Sequence, residues 1–324
     1  MERAEGLQVV LGAGGGTGRA IADELVGQGR QVRAVSRNGR VEGLPASVEQ
    51  TGADLYDSAD AARAVAGASV VYHAAQPPYA EWAGNFERMN DAVARAAGGA
   101  GARLVFADNL YMYGPGASPM RETTPQRATD RKGALRIRLA ADLLARHQRG
   151  EVEVAIGRSS DYFGPFGVNT GAGERAFGAI VTGKPAAGVG SVDKPHTFSY
   201  LPDLARAMVI LGDRDEAAGR AWHLPVTDPI TVRALMERAA AVAGVPAKVR
   251  VDGPLALTFA GLFVPMVREV RVVLYQWTAP FVSDWSAFEA AFGPFERTPL
   301  DEALAATVAW WRTEMAARSA AKAA

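Results

Sequence analysis

The chain of 324 residues carries 35 basic and 35 acidic side chains, a balance with no general attraction for nucleic acid or an anionic membrane. It holds no cysteine, which excludes disulfides, thiol nucleophiles and thiolate metal sites. Its four histidines (His73, His147, His196, His223) lack ligand spacing, so no metal is expected. The first residues show no basic-then-apolar leader, and the most apolar run, Leu255 to Val267, is too short to cross a bilayer and contains Pro265. The expectation is a cytoplasmic protein with a large core and a small-molecule substrate, compatible with a homodimer.

The first strand, Gln8–Leu11, runs directly into Gly12-Ala13-Gly14-Gly15-Gly16-Thr17-Gly18, and a helical stretch, Ala20 to Val26, follows at once. Gly12, Gly15 and Gly18 give a G-x-x-G-x-x-G spacing. Such a loop turns tightly and lets a pyrophosphate approach the amides at the helix start. Strand before and helix after is the context that makes this pattern a dinucleotide site. The second strand, Gln31–Ser36, ends about 20 residues after the loop, where an NAD-preferring site carries an acid for the ribose 2′-hydroxyl. Ser36 and Arg37 stand there instead, with Arg19 and Arg40 nearby. Hydroxyl and guanidinium groups suit a 2′-phosphate, so the expected cofactor is NADP(H).

Further strands are expected at Ser69–His73, Arg103–Ala107 and Glu153–Gly157, with helices at Ala59–Ala66, Phe86–Ala97 and Leu135–His147. Strands that do not alternate suit a parallel sheet buried on both faces, and the whole reads as a doubly wound α/β pattern. After Gly164-Pro165 the rhythm breaks. Helices follow at Asp203–Leu211 and Val232–Ala243, then an apolar segment Leu255–Trp277, then a last helix capped by Thr298 with Pro299, Asp301 and Glu302 in its first turn and a frayed tail from Ser319. Residues 1–165, with 190–225 returning to them, are expected to form the dinucleotide-binding domain. Residues 166–189 and 226–324 are expected to form a smaller, interleaved substrate lobe. Leu257, Phe259, Leu262, Phe263, Val264, Met266, Tyr275, Trp277, Phe281 and Trp285 make that lobe apolar, either as core or as the wall of a pocket. Arg268 and Arg271 are its candidates for a phosphate contact.

These elements resemble the extended short-chain dehydrogenase/reductase family, in its NAD-dependent epimerase/dehydratase group. Asp54-Leu55 is similar to the adenine-contacting pair. Val71-Tyr72-His73-Ala74-Ala75 is similar to the V-x-H-x-A motif beside the cofactor. Val105 to Gly114 sits where the family has a serine-rich strand ending in Val-Tyr-Gly. Arg158 to Pro165 is similar to R-x-x-N-x-Y-G-P, and His196 to Asp203 to R-D-F-x-Y-V-x-D. The resemblance implies a Rossmann-type sheet and a pyridine nucleotide.

The departures fall on the chemistry. Asn109 takes the place of the family's catalytic serine or threonine, and offers an amide NH2 instead of a hydroxyl. No tyrosine lies between Arg121 and Gly150, where Tyr-x-x-x-Lys belongs. The best echo is Lys132-Gly133-Ala134-Leu135-Arg136, with Lys132 for the tyrosine and Arg136 for the ribose-holding lysine. A second frame puts Ala134 and Arg138 there, with no acid at all. Lys132 donates a proton at neutrality only if burial and Arg136 lower its pKa. Tyr111 stands where sugar-nucleotide dehydratases of the family carry a glutamate, and is either a general acid or packing. Asp161 replaces a substrate-facing asparagine, beside Tyr162, while His196 replaces an arginine that often meets a sugar-nucleotide phosphate. With Trp277 these are the expected substrate contacts, and Asn109, Tyr111 and Asp161 are expected to share one pocket. The reading is an NADP(H)-dependent oxidoreductase on an apolar carbonyl, imine or enone, its proton coming from Lys132, Tyr111 or water. Its alternatives are a non-catalytic NADP(H)-binding sensor and a sugar-type epimerase or isomerase.

Overall fold

The apolar runs of the first half become β1 (Leu7–Leu11), β2 (Val32–Ser36), β4 (Ala68–His73), β5 (Arg103–Asp108) and β6 (Glu153–Arg158), with β3 at Glu49–Gly52. Short strands follow: β7 (Asp161–Phe163), β8 (Ala186–Val189), β9 (Pro195–His196), β10 (Phe198–Tyr200), β11 (Ala221–His223), β12 (Ile230–Thr231) and β13 (Val249–Asp252). The computed structural model describes residues 5–168, 170, 172–253 and 265–323. Seven strands form one parallel sheet in the order β11-β6-β5-β4-β1-β2-β3. The order reverses at β1, and in such sheets the crevice at the strands' carboxyl ends beside that reversal takes the ligand.

β3 was not among the expected strands. Its sequence, Glu-Gln-Thr-Gly, has no apolar residue because it lies on the sheet edge and is mostly exposed. Alternate residues of the inner strands feed two cores. Val9, Leu11, Val71, Leu104, Phe106 and Ile156 pack under the helices Ser58–Val65, Asn85–Gly99 and Arg131–Gln148. Val10, Val70, Tyr72, Val105 and Ala155 pack under Gly16–Gly27 and Leu201–Asp213. A separate cluster gathers Phe163, Phe177, Phe198, Leu235, Met236, Leu304 and Trp311, from the second half of the chain.

The last helix, Leu300–Ala323, continues through the tail expected to fray. Thr298 does not cap it. Its hydroxyl donates to Asp203 Oδ1 at 2.6 Å and its amide to Asp203 Oδ2 at 2.9 Å, so it ties the helix start to Leu201–Asp213 instead. Of the apolar segment, Leu257, Phe259, Leu262, Phe263 and Val264 lie outside the described residues, as does the side chain of Met266. What is described of it holds the short helices Pro265–Val272 and Tyr275–Thr278. Arg268 and Arg271 are both exposed, whereas Glu269 between them is buried.

Candidate active site

The glycine loop is shaped by what each missing Cβ would meet. Gly12 has φ +82°, and a Cβ there would strike the Ala75 backbone at 2.7 Å; at Gly18 it would strike the Gly12 carbonyl at 2.3 Å. These two glycines let the loop close on itself and on Ala74-Ala75, where Ala74 N donates to Leu11 O at 3.0 Å. Gly14 and Gly15 are different. A Cβ at Gly14 would meet nothing nearer than Ser36 Cβ at 3.9 Å, and at Gly15 nothing nearer than Gly12 O at 3.5 Å. Both are exposed, and their bareness leaves a cradle at the head of the helix Gly16–Gly27, which has no side-chain cap. Thr17 sits half-buried in its first turn. Bare backbone at a helix start, opposite the end of β2, fits a dinucleotide diphosphate.

At the end of β2, Ser36 Oγ donates within its own turn, to Asn38 Oδ1 at 3.0 Å, and Arg37 and Arg40 are exposed. Asp54 is exposed, with Oδ1 accepting from Tyr56 N at 3.0 Å, and Leu55 is buried beside it. Arg19 is committed elsewhere: its guanidinium binds Asp23 and the carbonyls of Glu42 and Gly43 and lies 4.1 Å over the Phe166 ring. It is a structural tie, and the expectation that it flanks a 2′-phosphate is corrected.

His73 is fully buried at the end of β4, with Nε2 2.9 Å from Asn90 Oδ1, and burial pushes its pKa down to about 4, so it packs as a neutral ring. The neighbouring strand end holds the densest charge. Asp108 is buried between Arg136, whose guanidinium donates to Oδ1 at 3.2 Å, and Arg158, whose Nε stands 3.5 Å from Oδ2. Arg136 also reaches Gln76 Oε1 at 3.4 Å and lies over the rings of Trp82 and Phe86. Asp108 Oδ2 and Nε of both arginines are buried without a hydrogen-bond partner, as is His73 Nδ1. Polar atoms left so at the carboxyl ends of β4, β5 and β6 suit the hydroxyls and amide of a nicotinamide riboside.

Lys132 and Arg136 share the inner face of the helix Arg131–Gln148, whose first amides are capped by Asp130. The glycine between them is compulsory. A Cβ at Gly133 would meet Tyr111 O at 2.6 Å, so the helix is pressed against the turn Tyr111–Tyr113. Lys132 is 2 % exposed. Its ammonium donates to Tyr79 O at 2.6 Å, pairs with Glu269 Oε2 at 3.0 Å and lies over the rings of Tyr79 and Trp82. Burial lowers its pKa from the ordinary lysine value, and Glu269 opposes that shift. Asn109 Oδ1 accepts from Tyr111 N at 3.1 Å, leaving its NH2 as the free end. Burial pushes the Tyr111 phenol up to about 12, away from the neutral range a tuned general acid would show, with Asp161 pushing the same way.

Asp161 and His196 form a pair. Asp161 Oδ2 lies 2.7 Å from His196 Nε2, and the buried His196 ring stacks on Trp277 at 4.7 Å and on Phe281 at 5.2 Å. Tyr162 accepts from Ser159 Oγ at 3.0 Å. Asp161, at the start of β7, raises the pKa of Tyr79, Tyr111 and Tyr275 through its charge. Several of these partners were not foreseen: Gln76, Tyr79, Trp82, Asp108 and Glu269. The signal available for Glu269 was a lone carboxylate inside an apolar run. Asp108 was a charge at the end of a buried strand.

The fold and its glycine cradle define a Rossmann-type α/β protein. Residues 8–224 match the NAD dependent epimerase/dehydratase family, and the chain belongs to it. Among curated proteins none matches the chain in sequence. An epimerase of Methanothermobacter thermautotrophicus superposes with a TM-score of 0.82 at 15% identity, over 98% of this chain and 95% of the other. UDP-glucose 4-epimerase of Thermotoga maritima, solved with UDP-glucose, gives 0.80 at 16% identity, over 95% and 99%. The Bordetella bronchiseptica enzyme WbmH, solved with NAD+, gives 0.73 at 19% identity, over 95% and 98%. At such identities the likeness is one of fold.

Proposed function

We propose that the chain is a pyridine-nucleotide-dependent enzyme of the epimerase or isomerase kind, acting on a hydroxyl-bearing carbon of a small polar molecule such as a nucleotide sugar. The observation that carries this is the family match across residues 8–224, which takes in the glycine cradle, the Asp108–Arg136 pair and β7 with Asp161. The cofactor supplies reversible hydride transfer when bound. Gly14, Gly15, Gly16 and Thr17 hold its diphosphate. Asp54 and Leu55 flank its adenine, and His73, Ala74 and Ala75 floor the crevice. Arg136 with Asp108 and Gln76 holds the ribose. Asn109 turns its NH2 to the substrate oxygen, and Tyr111 stays neutral as a hydrogen-bond donor. Lys132 is held by Glu269 and Tyr79 and serves to position rather than to donate. Ser36 and Arg37, with no acid at the end of β2, favour NADP(H) over NAD(H).

A second reading, net reduction of a carbonyl compound by NADPH, rests on the Asp161–His196 pair. The pair occupies the place where a phosphate-binding arginine would suit a nucleotide sugar. One experiment separates the readings. With oxidised cofactor and a panel of UDP-sugars, an epimer forming without net change at 340 nm supports the first. Stoichiometric NADPH loss against carbonyls supports the second. Binding without either supports a sensor. Arg37→Asp should reverse any preference for NADP(H), since a lost charged contact costs about 1.5–3 kcal/mol; unchanged selectivity in a titration would refute the role given to Arg37.

A further inference from the structure

Phe166 is the one non-glycine residue with a left-handed backbone among the described residues, at φ +62°. A bulky side chain there is unfavourable, and such a conformation persists only where the surroundings over-determine it. The surroundings are specific. The Arg19 guanidinium stacks 4.1 Å from the ring centroid on one side, and the Trp310 ring packs at 5.2 Å. Arg19 is itself fixed by Asp23 and the carbonyls of Glu42 and Gly43. The Phe166 carbonyl lies so close to the head of the helix Gly16–Gly27 that a Cβ on Gly16 would come within 2.9 Å of it. The turn Gly164–Val168 is thus pinned onto the glycine cradle from the second half of the chain, and Trp310 belongs to the last helix.

We infer that Phe166 is a positioning residue for the diphosphate and nicotinamide half of the dinucleotide, holding the second wall of the cradle at a fixed distance from Gly15 and Gly16. This rests on the dinucleotide reading of the loop. The adenine half is assigned to the stretch between Ser36 and Leu55, which this turn reaches through Arg19 and the carbonyls of Glu42 and Gly43. The prediction is selective: loss of the ring should weaken ligands that carry the diphosphate and the distal ribose more than AMP, which ends at the adenosine-side phosphate.

The test titrates the purified chain with ADP-ribose and with AMP, following tryptophan fluorescence, and records a thermal melt for each variant. F166A and F166G should lose ADP-ribose affinity by about tenfold or more, with AMP within about twofold of the parent, while F166Y keeps both. W310L, which removes the ring's far support without touching the cradle, should show the same selective loss in weaker form. If F166G binds ADP-ribose as tightly as the parent, or if AMP weakens as much as ADP-ribose, the inference is overturned. Should F166A and F166G not fold, W310L decides: ADP-ribose affinity equal to the parent's refutes the role. A parent that binds neither ligand would refute the dinucleotide reading, a result distinct from any of these.

Discussion

At the scale of single residues, the chemistry is set by which groups are held and which are free. Asp161 is legible in the sequence as a carboxylate that needs a partner, but His196 as that partner is not. The two lie 35 positions apart, and the parallel pairing of β7 with β10 brings those chain segments together. Asp161→Asn keeps an acceptor for the His196 ring, so the fold should lose only about 1 kcal/mol while substrate binding changes; a large fall in melting temperature with binding intact would make Asp161 structural. His223 carries a pH prediction. Its Nε2 lies 2.6 Å from the Tyr113 hydroxyl and its Nδ1 2.9 Å from Ser283 Oγ, and burial pushes its pKa down to about 3, with Arg158 adding. Depressed values for His223 and His73 mean that the unfolded chain takes up these protons first as the pH falls. Stability present above about pH 6.5 is then lost toward pH 4 and 3, by up to about 1.4 kcal/mol per pH unit for each ring. Urea unfolding at pH 7 and pH 5 should show the fall, and His223→Gln should make it about half as steep, His73 keeping its share; an unchanged slope in that variant would count against the assignment.

At the scale of elements, the K-G-x-x-R stretch shows how far spacing carries. It places Lys132 and Arg136 on one face of one helix, and both side chains turn inward. What spacing alone does not supply is the opposing surface. Tyr79 and Trp82 come from a turn with no strand or helix signal, and Glu269 from a helix more than 130 residues on. These tertiary contacts decide that Lys132 is caged. Glu269→Gln leaves the buried ammonium with Tyr79 O and the two rings but no counter-charge, removes the partner of Arg131 as well, and should cost about 3–5 kcal/mol. The double variant Lys132→Met/Glu269→Gln, which removes the charge from the aromatic cage, should recover much of that loss in chemical denaturation. If the double variant is as unstable as the sum of the singles, the pair is not the coupling proposed. The same limit explains β3 and Thr298. An edge strand needs no apolar pattern, and a threonine that suits a cap locally is taken by Asp203 from another helix.

At the scale of the whole molecule, the sheet was legible because its inner strands are apolar on both faces and its loop needs glycines for two different reasons. Self-packing fixes Gly12 and Gly18, while Gly14 and Gly15 are bare toward the crevice. Arg103 shows what patterning hid. Fully buried at the start of β5, it binds Glu153 on β6, Asp215, and the carbonyls of Leu211, Gly212 and Arg214, locking the sheet to the end of the helix Leu201–Asp213. The central claim is that this scaffold presents a pyridine-nucleotide cradle at Gly14 and Gly15. Gly14 offers a direct trial, because its backbone has an ordinary φ and a Cβ there meets only Ser36 at ordinary contact distance. Calorimetric titration of NADP(H) and NAD(H) into the parent and Gly14→Val should give saturable binding to the parent, NADP(H) the tighter. The variant should melt like the parent and lose both ligands. No binding of either dinucleotide to the parent, or equal binding to a folded Gly14→Val, would contradict the account.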